Sequence, residues 1–99
     1  MAAMACKAGF DARQPYLIEY YGPSRDAAEL NSSSARVRQT VLEMERAGEP
    51  VHYVSSTIVP RDESFLCLIE AASESIVAEV YARAGVPFER ISAAIRAGE

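Results

Sequence analysis

The chain has 99 residues and a net charge of −4, with 49% hydrophobic and 24% charged side chains. That is the length of one domain, with enough apolar residues to build a core, which excludes disorder throughout. There is no Lys/Arg stripe to displace counterions from phosphate and no apolar run near the roughly 18 residues of a membrane span, so neither nucleic acid nor a bilayer is an expected partner.

Residues 1–14 read as a flexible N-terminal tail, and residues 15–97 as a single domain. The apolar start is about six residues long, short of an export signal's hydrophobic region, and no basic segment precedes it. Cys6 lies in this tail and Cys67 in an apolar run. Two such cysteines make no disulfide framework; they read as thiols of a reducing compartment, the cytoplasm.

"PYLIEYY" (15–21) reads as a strand, closed by Gly22-Pro23. Residues 26–47 carry Ala27, Leu30, Ser34, Val37, Val41 and Met44 at spacings of three and four, which predicts an amphipathic helix. Asp26 and Glu29 form its capping pair, although "NSSS" (31–34) allows a later start, and Gly48 suits its end. "PVHYVSSTIVP" (50–60) and "SFLCLIEA" (64–71) are β-branched or apolar runs around the charged turn "RDE" (61–63), a hairpin. Ser73 caps a second helix over 74–84, with Ile76, Val77, Val80, Tyr81 and Ala84 on its apolar face and Gly85 ending it. "FERISAAIRA" (88–97) is a last strand.

The order β-α-β-β-α-β predicts an α+β, ferredoxin-like fold. Its four-stranded antiparallel sheet has strand order 4-1-3-2, with two helices on one face. Side chains alternate along strands. Tyr16, Ile18, Tyr20, Val54, Ile58, Phe65, Cys67, Ile69, Ile91, Ala93 and Ile95 are expected under the helices. The open face should then carry Leu17, Glu19, Tyr21, Tyr53, Leu66, Leu68, Glu70, Arg90 and Arg96. That is too much apolar surface to leave in water, and a two-fold dimer through this face is the simplest cover. Polar groups trapped between two sheets would make a ligand chamber, with Glu19, Tyr21, Tyr53, Glu70 and Arg96 as its binding residues.

The stretch "FLCLIEAASESIVAEVYARAGVPFERI" (65–91), with "YLIEYY" (16–21) and "VHYVSS" (51–56), resembles the domain of unknown function 4242 over about residues 15–96. The resemblance implies a ferredoxin-like fold, often dimeric, of the dimeric α+β-barrel superfamily. The family is nickel-binding-protein-like, so nickel or another transition metal is the cofactor it implies. Its members often carry histidine near the position of Tyr81 and elsewhere. This chain has only His52, and one imidazole does not make a transition-metal site, so the nickel site is not carried over. His52 stands as the single metal candidate.

Each candidate has a plain structural reading beside the functional one. Cys67 reads as a core cysteine rather than a reactive thiol, since its strand position lacks a nearby cation or helix N-terminus. Glu19 and Glu70 are either carboxylates of raised pKa suited to proton transfer or plain surface groups, Glu19 ion-paired with Arg90 or Arg96 and Glu70 meeting solvent or the dimer edge. His52 is a ligand, a proton shuttle or a half-exposed histidine without a role. The sequence thus points to a small cytoplasmic homodimer binding a small ligand or metal at its open sheet face. The alternative is a cofactor-independent oxygenase- or isomerase-like enzyme using Tyr53, Glu19 and Glu70.

Overall fold

The computed structural model describes residues 13–21 and 26–97. Most of the proposed tail and the Gly22-Pro23 turn lie outside the described residues. The elements are β1 (Gln14–Tyr21), α1 (Ala27–Arg46), β2 (Val51–Val59), β3 (Ser64–Ala71), α2 (Glu74–Ala84) and β4 (Arg90–Ala93), with a 3-10 turn over Pro60–Asp62. The strands form one antiparallel sheet in the order β2-β3-β1-β4, the ferredoxin-like arrangement read from the opposite edge.

Local chemistry sets the ends of the helices. Asp26 accepts from the Glu29 backbone N–H at 2.8 Å and the Glu29 carboxylate accepts from the Asp26 N–H at 3.3 Å, a complete capping box. The earlier start of α1 therefore prevails over "NSSS". At its C-terminus Gly48 takes φ +91°, and the Glu49 N–H reaches back to the Met44 carbonyl at 3.0 Å. α2 ends the same way, with Gly85 at φ +67° and the Val86 N–H on the Tyr81 carbonyl at 3.1 Å. Val86 is buried, the apolar contact that such an end requires.

The core lies between the helices and one sheet face. It joins Ile18, Phe65, Cys67 and Ile69 from the sheet to Leu30, Val37, Val41 and Met44 from α1 and Val77, Val80 and Tyr81 from α2. In α1 the buried serine is Ser33 rather than Ser34, and Ala27 is exposed. The Tyr81 ring meets Phe88 edge-on at 5.5 Å. No helix among the described residues is long and apolar enough to cross a membrane.

Two expectations about the strands are corrected. Tyr53 was expected on the open face, with Val54 inward. The β2–β3 register instead shifts between Tyr53 and Ser55, so Val54 is an inserted bulge residue. One extra residue inverts the alternation on one side of it. Ser55 and Thr57 lie opposite the open-face residues Leu68 and Leu66, but Tyr53 pairs with Ile69 and packs on the core. Its hydroxyl hydrogen-bonds Ser56 and lies 3.4 Å from Ser34 Oγ.

The last strand is also shorter than residues 88–97, and Ile95 is 92% exposed rather than inward. Pro15 explains the ending. Its carbonyl accepts from the Ala94 N–H at 2.8 Å, but it has no N–H to continue the ladder. The Gln14 side-chain amide takes over and donates to the Ala94 carbonyl at 2.7 Å.

Candidate functional site

The sheet face opposite the helices has a polar set at each end and leucines between. Reading along β1, Pro15 lies opposite Glu70, Leu17 opposite Leu68, Glu19 opposite Leu66 and Tyr21 opposite Ser64. At the rise of a strand, the Glu70 and Glu19 levels are about 13 Å apart. The two carboxylates therefore do not form a catalytic pair.

The Glu19 end is the more developed. Glu19 is only 6% exposed although no helix covers this face. Arg90 donates to it through Nε at 3.0 Å and Nη2 at 3.2 Å, a forked contact that suits a carboxylate. The Tyr21 hydroxyl donates at 2.5 Å. Antiparallel register makes this set: Glu19 faces Arg90 across β1–β4, and Tyr21 follows two residues on, on the same side. The tyrosine hydrogen bond, followed by that from Arg90, holds the Glu19 carboxyl below its ordinary range. The same bond, with the carboxylate's charge beside it, pushes the Tyr21 phenol up. Of the two readings of Glu19, the structure contains the ion pair, with Arg90 as the partner.

A pH dependence follows. A carboxyl whose pKa is depressed on folding adds stability that is complete above its ordinary value of 4.5 and is lost as the pH falls through its lower folded value. Urea denaturation of the protein should therefore show a loss of stability in acid that is shallower in Glu19→Gln. Equal acid slopes in the two proteins would refute the assignment. Tyr21 acts at the other limit: its contribution holds below pH 10.0 and fades as the pH rises through the folded value.

At the opposite end Arg96 Nη1 donates to Glu70 at 2.9 Å, reaching past Pro15, whose ring leaves that position without a long side chain. Both candidate glutamates are thus ion-paired. Arg90 was missing from the candidate binding residues, yet it makes the forked contact; its place two residues before Ser92, opposite Leu17, was the available signal.

The remaining candidates fall elsewhere. Tyr53 is on the helix side. His52 stands opposite Glu70 in register, but its Nδ1 is 3.2 Å from Glu45 Oε2 of α1. Among the described residues, no three His, Cys, Asp or Glu side chains gather as metal donors. Cys67 is 1% exposed, and burial pushes its thiol pKa up, the opposite of a reactive cysteine. Ser56 donates to its sulfur at 3.5 Å. The Tyr81 hydroxyl, also buried, has no hydrogen-bond partner in good geometry among the described residues.

An α+β sandwich of βαββαβ order with one bare sheet face is a ferredoxin-like protein. Residues 16–93 match the model of the nickel responsive protein SCO4226-like family, and the chain belongs to that family. The match bears out the kinship with nickel-protein-like domains and does not specifically support the narrower label of domain of unknown function 4242. Among solved structures, SCO4226 from Streptomyces coelicolor A3(2) is similar, with a TM-score of 0.65 and 22% identity over 85% of this chain and 99% of that one. That likeness shows the fold. No match is found among curated proteins.

Proposed function

We propose that this chain is a cytoplasmic, homodimeric small-ligand-binding protein of the dimeric α+β-barrel kind. Two copies pack through their open sheet faces and share a chamber lined by Glu19, Tyr21, Arg90, Glu70 and Arg96. The observation that carries this reading is Glu19: a nearly buried carboxylate, held by Arg90 and Tyr21, on a face that the protein's own helices leave bare. Leucines at the centre with ion pairs at the margins match the usual anatomy of an interface, an apolar middle inside a polar rim. A free thiol at Cys67 suits a reducing compartment.

The family description speaks of nickel. The described residues do not fit a nickel ion, because His52 pairs with Glu45 and no third donor joins them. The ligand of this reading is therefore organic, and calorimetric titration with nickel should give no heat above the dilution control. The oxygenase- or isomerase-like reading loses support as well. Tyr53 points away from the open face, and both carboxylates are engaged by arginines.

Sedimentation equilibrium at micromolar concentration tests the proposal. It should give twice the mass of the 10.8 kDa chain, and a stable monomer would overturn the shared chamber.

A further inference from the structure

A concavity of about 560 Å³ lies away from the open sheet face, between α1 and the edge strand β2. Its volume is in the range of small-molecule sites. On α1, Ser34, Ala35, Arg38, Leu42 and Glu45 recur at spacings of one to four and line one stripe. On β2 it is lined by His52, Tyr53 and the bulge residue Val54. The bulge that displaced Tyr53 from the open face thus also shapes this groove.

The groove is chemically graded along the helix. Arg38 has no hydrogen bond or ion pair among the described residues, unlike Arg36, Arg83, Arg90 and Arg96, which are all engaged. One turn away on the same stripe sits Ser34, with its hydroxyl 3.4 Å from that of Tyr53, so two hydroxyl groups line the groove at the turn next to Arg38. Ala35, Leu42 and Val54 supply apolar wall. Glu45, the acidic residue of the groove, is two turns from Arg38, roughly 10 Å along the axis, and accepts from His52. One end therefore offers an unpaired cation one helical turn from a pair of hydroxyls, and the repelling carboxylate is kept at the other.

We propose that this groove binds a small organic carboxylate, its charged end on Arg38 and the Ser34–Tyr53 hydroxyls, its apolar body along Ala35, Leu42 and Val54. Arg38 is the residue that decides binding, because a forked guanidinium–carboxylate contact is the strongest single interaction available there. The site is separate from the open sheet face, and the proposal stands or falls independently of dimerisation.

NMR titration of the full chain with hexanoate, hexanol and inorganic phosphate provides the test. Hexanoate should saturate, with shifts centred on Arg38, Val54 and His52, and should bind about tenfold more tightly than hexanol, which lacks the charge, or phosphate, which lacks the body. Arg38→Ala should weaken hexanoate about tenfold. Arg61→Ala, which removes an exposed arginine from the β2–β3 turn, should leave it unchanged. Hexanoate binding no tighter than either control, or unaffected by Arg38→Ala in a protein of unchanged circular dichroism, would overturn the proposal.

Discussion

Replacing Leu68 with aspartate should abolish the proposed dimer and leave the fold standing. Leu68 is half-buried at the middle of the open face, beside Leu17 on one neighbouring strand and Ser55 on the other. In a monomer the new carboxylate would stay in water, at a cost of about 1 kcal/mol or less from strand propensity and lost leucine contact. In the dimer it would be enclosed without a cation, and two-fold symmetry would impose that twice. Association should weaken at least a hundredfold, which is about 2.7 kcal/mol. Sedimentation equilibrium reads the association, and far-ultraviolet circular dichroism with urea denaturation reads the fold. A Leu68→Asp protein that still sediments as a dimer would mean that the copies meet through another surface.

Phe65→Ala, three residues earlier on the same strand, should do the reverse. Phe65 is buried among the core residues, opposite Tyr20 and Ile58. Truncating a buried phenylalanine costs about 3–5 kcal/mol through lost transfer energy and the cavity left behind. Domains are stable by only about 5–15 kcal/mol, so this is a large part of the total. The urea midpoint should fall steeply at fixed protein concentration, the condition that the proposed dimer requires for comparing stabilities. A loss under about 1 kcal/mol would show that this strand face is not the core. Together the two substitutions test the assignment of β3's two faces.

Much of the fold is legible along the chain because its determinants are local. Asp26 with Glu29, Ser73, Gly48 and Gly85 act within one helical turn, and the boundaries of α2 at 74 and 84 follow from them. β3 is equally plain: Phe65, Cys67 and Ile69 alternate without interruption with Leu66, Leu68 and Glu70, and the buried pattern follows them. Cys67 and Glu70, which look adjacent in the sequence, therefore face opposite sides of the sheet. The Glu19 ion pair was legible in outline, since antiparallel order places the first strand beside the last.

Two elements resist such reading. The inversion at Val54 comes from an insertion into the ladder with β3, and nothing in "HYVSS" alone marks which residue is left over. The end of β4 depends on Pro15, almost eighty residues away, which cannot donate to it.

The amino-acid sequence by itself determined the element order, the helix caps, the split between core and open sheet face, and the presence of paired charges on that face. These depend on side-chain period and on contacts within a few residues. Only the tertiary structure decided that Arg90 rather than Arg96 holds Glu19, that Tyr53 turns to the helices, and that His52 meets Glu45 across a groove. Those outcomes rest on strand register, which is set by pairing with residues far away along the chain and which a single bulge inverts.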